Sequence, residues 1–257
     1  MLAKSHCTKL FQNGDHTLNR IFKPTHLTPY KNLLVSGCSF TFNNSKTDIC
    51  SWPYYLRDLV NFETVYNVAQ SGAGTTHIFN SIVNEIETNK NIDPDNTQVI
   101  VMWSGLTRTD TIATRDITRP WHHMSNYDFN NHFATLSIFN EVDGKTDLDN
   151  LCKQYKLLVD SDAQIYESLL NIVALDGYLK SKRFDYLFTS WQDPTPELDR
   201  IKSPMINTVK NLVSSVDYLG EFARKNQLLE PDGGHPSPNG YLEWTKQCLI
   251  PSLKVPT

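Results

Sequence analysis

Residues Asn32 to Phe40 read NLLVSGCSF: a short aliphatic run that passes directly into Gly37, Cys38, Ser39 and Phe40. Five residues rich in Leu and Val, closed by a glycine, have the pattern of a buried strand followed by a tight turn. Downstream, Ser51-Trp52-Pro53 supplies a serine cap and an early proline. A helix follows in which Trp52, Tyr55, Leu56 and Leu59 share a face. Thr64 to Val68 (TVYNV) is a second short strand, and Gln70-Ser71-Gly72-Ala73-Gly74 is a glycine turn. Thr75 or Thr76 then caps a helix with Ile78, Ile82, Val83 and Ile86 on one stripe. Gln98 to Trp103 (QVIVMW) is continuously apolar, as a parallel strand covered on both faces requires.

Residues 104–150 are polar and aromatic with weak periodicity. A long segment of this kind within one domain reads as a lid or insertion, placed at about 105–150. A long helix is expected from about Ala163 to Lys182, a fourth strand at Phe184 to Thr189, and one helix over much of 204–225. A final helix opens at Pro238-Asn239-Gly240 and carries Tyr241, Trp244 and Leu249. Strands alternating with helices predict a three-layer α/β/α sandwich around a central parallel sheet of about four to five strands. Residues 1–31 show no clear period and read as an N-terminal arm. Residues 32–257 form a single domain.

The chain has 257 residues, 39% of them hydrophobic and 20% charged, which is a globular composition. Its net charge of -4 supplies no basic field for nucleic acid. The N-terminus lacks the apolar run of a secretory signal, and nothing approaches the roughly 18 apolar residues of a membrane span. Cys7, Cys38, Cys50, Cys152 and Cys248 are scattered with no CxxC pair, which predicts reduced thiols and a cytoplasmic setting.

In parallel α/β sheets the loops beyond the strand C-termini carry the active site. Ser39, Gly72 and the stretch Ser104 to Arg108 follow the first three strands and should share one edge. Glu230-Pro231-Asp232-Gly233-Gly234-His235-Pro236 precedes the last helix. These blocks resemble the SGNH hydrolases, also called the GDSL esterases, over about residues 32 to 250. The first block is LLVSGCSFTF, with Cys38 in place of the usual aspartate. The second is Asn67-Val68-Ala69-Gln70-Ser71-Gly72, and the last is Asp232-Gly233-Gly234-His235 followed by Pro236 and Gly240. The third block departs: the family has glycine, any residue, asparagine and aspartate, whereas Trp103-Ser104-Gly105-Leu106-Thr107-Arg108 contains no asparagine.

The resemblance implies a flavodoxin-like SGNH fold, no cofactor, and a Ser-His-Asp mechanism. Ser39 would be the nucleophile, His235 the base and then the acid, and Asp232 the group that orients the imidazole. The N–H groups of Ser39 and Gly72 would hold the oxyanion, each such donor being worth about 3 kcal/mol. Ser104 or Thr107 would replace the missing asparagine, and Arg108 would add a cationic donor. The expected substrate is a small-molecule or carbohydrate ester, with O-acetyl groups foremost.

Other readings of the same residues stand beside this one. Cys38 is read as a small buried residue before it is read as a thiol nucleophile. His122-His123 with Asp116 and Asp128 form a polar lid before a metal site, because adjacent histidines diverge in regular structure. Trp121, Tyr127 and Phe129 would either stack on a sugar or anchor the insertion. Arg108, Arg115 and Arg119 would either bind an acidic substrate or, the preferred reading for the group, form a solvated loop face. A non-catalytic SGNH-like module in a larger assembly is the rival from another class. The chain is similar in this respect to SGNH-like proteins of bacteria and their phages, for which a virion-associated location would follow.

Overall fold

The structure is a computed structural model, described here for residues 28–42, 50–113, 132–137, 161–213, 216–231 and 233–253. Strand β1 (Asn32–Ser36) leads to helix α1 (Trp52–Val60), strand β2 (Thr64–Asn67), helix α2 (Thr75–Thr88) and strand β3 (Thr97–Trp103). Strands β4 (Arg108–Ala113) and β5 (His132–Ser137) follow. Then come α3 (Ser161–Ser181), β6 (Asp185–Ser190), α4 (Thr195–Leu198), α5 (Met205–Val213), α6 (Leu219–Lys225) and α7 (Pro238–Trp244). A π-helical turn at Thr245–Leu249 joins α7 to the short α8 (Ile250–Ser252).

Four strands pair in the order β2-β1-β3-β6, all parallel. The chain goes from β1 to β2 on one side, then crosses back to β3 on the other. The two crossovers therefore run in opposite directions, and right-handed connections put their helices on opposite faces. Helix α1 packs with α7, and α7 with α6; on the other face α2 packs on α3, and α3 on α5. The result is the expected three-layer sandwich. Every residue of β3 is buried, which accounts for its uninterrupted apolar run. Strand β2 is an edge strand and has no fully buried residue.

Three expectations are refined. The helix expected over 204–225 is two helices, α5 and α6, because Gly220 seats α6 against another part of the chain. Its N–H donates to the Trp191 carbonyl at 2.7 Å, and a Cβ there would lie 2.8 Å from that oxygen. The stretch expected as a lid at 105–150 contains an antiparallel pair, β4 with β5, running from Arg108 opposite Ser137 to Ala113 opposite His132. The expectation of five reduced thiols is corrected. Cys50 is disulfide-bonded, which the spacing of the cysteines does not report. Cys38 and Cys248 are free. No helix among the described residues is long and apolar enough to cross a membrane.

Candidate active site

The turn after β1 is fixed by close packing. The Cys38 carbonyl accepts the N–H groups of Thr41 and Phe42, each at 2.9 Å, which folds residues 38–42 into one helical turn with Ser39 near its start. Thr41 holds that turn in place. Its carbonyl accepts from Ser51 Oγ at 2.8 Å and Asn67 Nδ2 at 3.0 Å, and its hydroxyl accepts from Trp52 Nε1 at 3.2 Å. Asn67 Oδ1 in turn accepts the Ala69 N–H at 3.1 Å. The Gln70 N–H donates to the Gly37 carbonyl at 3.1 Å, tying the loop after β2 to the turn after β1.

His235 sits in a loop closed on itself. Glu230 N–H donates to the His235 carbonyl at 2.8 Å, and Ser237 N–H to the Leu228 carbonyl at 2.8 Å. The ring of His235 stacks on Phe40 with centroids 5.0 Å apart, and Phe40 stacks on Trp191 at 4.6 Å. This places His235 Nε2 3.0 Å from Ser39 Oγ, across 196 positions of sequence. With the proton on Nδ1, Nε2 is the acceptor for the serine hydroxyl.

The N–H groups of Ser39 and Gly72 donate to no acceptor among the described residues. Gly72 adopts φ +80°, a left-handed conformation that favours glycine. Ser104 is 1% exposed, and its Oγ has no hydrogen-bond partner among the described residues. Thr107 is buried too, and so is Leu106. Arg108 is half-buried, and its Nη1 is buried without a hydrogen-bond partner among the described residues. Asp232, Trp121, Arg115, Arg119, Asp116, His122, His123, Tyr127, Asp128 and Phe129 lie outside the described residues. Among the described residues no cluster of three or more His, Cys, Asp or Glu side chains has metal-binding geometry.

Several residues that the sequence did not single out brace these loops. Glu197 Oε2 accepts the Leu106 N–H at 3.0 Å. Ser168 of α3 donates to the Leu106 carbonyl at 2.7 Å, and its Oγ lies 3.0 Å from the Thr75 hydroxyl at the start of α2. The loops after β2 and β3 are thus linked through one serine. Burial pushes the Glu197 carboxyl above its ordinary value, opposed by the Leu106 N–H and by Arg200 and Arg108. Trp191 was detectable in principle, because it follows β6 at the same edge as the other loop residues. Glu197 and Ser168 carry no such signal, since they act through contacts distant in sequence.

No family model matches the chain, and no curated protein matches it. Among solved structures it is similar to the psychrotrophic esterase EstA of a Pseudoalteromonas species, at 10% identity and a TM-score of 0.45 over 86% of this chain and 97% of that one. It is also similar to a protein of Desulfitobacterium hafniense described as lipolytic and of the G-D-S-L family. That likeness has 13% identity and a TM-score of 0.40, covering 87% of this chain and 99% of the other. A GDSL-like lipase of Bacteroides thetaiotaomicron is similar at 11% identity and a TM-score of 0.36, over 96% of this chain and 94% of that one.

Proposed function

We propose that this chain is a serine hydrolase that cleaves carboxylic esters through Ser39. One observation carries the reading: His235 Nε2 lies 3.0 Å from Ser39 Oγ at the C-terminal edge of a parallel sheet. A serine hydroxyl is a weak nucleophile until a base takes its proton. In the proposed reaction His235 Nε2 takes that proton as Oγ bonds to the ester carbon, and the carbonyl electrons move onto oxygen. The intermediate collapses, the alcohol leaves with the proton held by His235, and Ser39 retains the acyl group. Water then gives a proton to His235 and adds to the acyl carbon. Collapse releases the carboxylic acid, and Ser39 regains its hydrogen. Asp232 is the proposed orienting carboxylate. The N–H groups of Ser39 and Gly72, with the Ser104 hydroxyl in place of an asparagine, are the proposed oxyanion donors.

The proposed substrate class is an O-acyl ester of a carbohydrate, O-acetyl foremost. The half-buried indole of Trp191, which stacks on the buried Phe40 beside His235, supports it, because an aromatic face suits the apolar face of a sugar ring. The purified chain should release p-nitrophenol from its acetate ester and take a fluorophosphonate label. Ser39→Ala should abolish both. Normal turnover by that variant would remove Ser39 from the mechanism. An intact fold that takes no label would favour a non-catalytic module.

A further inference from the structure

The start of α2 is capped from outside its own segment. Its N-cap residue, Gly74, has no side chain to offer the exposed N–H groups of the first turn. Asp110 of β4 supplies the missing acceptor: Oδ1 takes the Gly74 N–H at 2.8 Å, and Oδ2 takes the His77 N–H at 2.6 Å. Asp110 is only 9% exposed, so both bonds form away from bulk water, with the carboxylate at the positive end of a 14-residue helix. The fit leaves no room for a cap on the helix itself. A Cβ at Gly74 would stand 2.8 Å from Asp110 Oδ2 and 3.0 Å from the Arg108 carbonyl. His77, beside the same carboxylate, is hydrogen-bonded to the Val68 carbonyl at the other end of the loop. The segment between Val68 and His77 is therefore held at its far end by Asp110 and joined back to its near end by His77. Gly72 lies inside it.

We infer that Asp110 is a positioning residue for the oxyanion-binding amide of Gly72, so that the β4–β5 pair sets the efficiency of the site. The inference rests on the hydrolase reading. An N–H donor stabilises a developing oxyanion only when it is held at the right place beforehand. The substrate's ground-state carbonyl depends on it far less. Loss of Asp110 should therefore reduce kcat and leave KM nearly unchanged.

The test compares the full chain with Asp110→Asn and Asp110→Ala, using p-nitrophenyl acetate turnover, inhibition by a phenylboronic acid and thermal melting. The asparagine variant keeps the shape and one acceptor, so it reports even where the alanine variant fails to fold. A serine-bound boronate carries an oxygen in the oxyanion position, so its affinity reports that site directly. The expected result for Asp110→Asn is a fall in kcat of about tenfold or more with KM within twofold, and a parallel loss of boronate affinity. A folded Asp110→Asn protein with kcat and boronate affinity within twofold of the parent overturns the inference, even if its melting temperature drops. A parent protein that neither turns over the ester nor binds boronate overturns the hydrolase reading itself, and this inference with it.

Discussion

Gly37 stands where the first strand turns against the third. A Cβ on it would lie 2.3 Å from Thr41 Oγ1 and 2.9 Å from the Met102 carbonyl oxygen. The threonine is not free to move aside, because its hydroxyl also receives the Trp52 indole N–H. The Met102 oxygen belongs to a buried strand and cannot move without the sheet. Gly37→Ala should therefore shift the 38–42 turn and carry Ser39 away from His235. We expect a loss of about 1–3 kcal/mol in stability, typical of overpacking, and a drop in fluorophosphonate labelling rate. Parent-like melting together with parent-like labelling would show that the turn has slack. Glu197 yields a pH prediction at the same scale. Its carboxyl is raised by burial, so the folded chain binds the proton more tightly than the unfolded one. The penalty for ionising it is absent below the unfolded pKa and grows as pH rises through the folded value. Glu197→Gln cannot ionise and keeps an oxygen for the Leu106 N–H. Its stability relative to the parent should rise from about pH 4 to about pH 7, measured by urea melts at each pH. A difference that is constant with pH, or that falls, would contradict this sign.

Helix α7 begins three residues after His235, and its start is built for a fixed position. Ser237 Oγ accepts the Gly240 N–H at 3.2 Å, Pro238 occupies the first turn, and Gly240 packs so closely on Leu228 that a Cβ would lie 2.5 Å from its carbonyl. Ser237 also closes the His235 loop through its own N–H, so one residue serves both helix and loop. Ser237→Ala removes only the side-chain bond. It should cost about 1 kcal/mol in chemical unfolding, and Ser237→Asp should recover most of that. No difference between the alanine and parent chains would mean that the proline and the loop closure suffice. The elements themselves were largely legible. NLLVS and QVIVMW announce strands because burial on two faces demands near-continuous apolar runs, whereas FDYLFT, whose edge strand starts at an exposed Asp185, is legible from its aromatic and β-branched content. The start of α2 was legible only in part. Thr75 or Thr76 is the cap a local reading selects, whereas the observed N-cap is Gly74 and the acceptor comes from Asp110, 36 positions away. The break between α5 and α6 was hidden for the same reason, since the Trp191 carbonyl that receives Gly220 is distant in sequence.

At the scale of the molecule, the two members of the proposed catalytic pair depend on one shared interior. Ser39 follows β1, and His235 precedes α7, so their 3.0 Å separation survives only while the α7 layer stays seated on the sheet. That layer has no core of its own. Trp52, Leu56 and Trp244 from its side belong to the same buried cluster as Ile78, Ile82, Ile165 and Leu169 from the opposite face, joined through the residues of β1 and β3. Trp52 and Trp244 meet edge to face at 6.1 Å, and the Trp244 indole N–H donates to the Asp217 carbonyl at 2.6 Å. Removing Trp244 should therefore weaken the whole fold rather than release one layer. For Trp244→Ala we expect a loss of about 3–5 kcal/mol. Far-ultraviolet and near-ultraviolet circular dichroism should report a single shared midpoint, because no layer can unfold without exposing the sheet that the other layer covers. Ester turnover should disappear at that same midpoint, since the serine and the imidazole approach each other from opposite ends of the sequence. Two separated transitions, with turnover lost in the first and most secondary structure in the second, would show that the α7 layer melts independently and that the pair is held by local loop contacts instead.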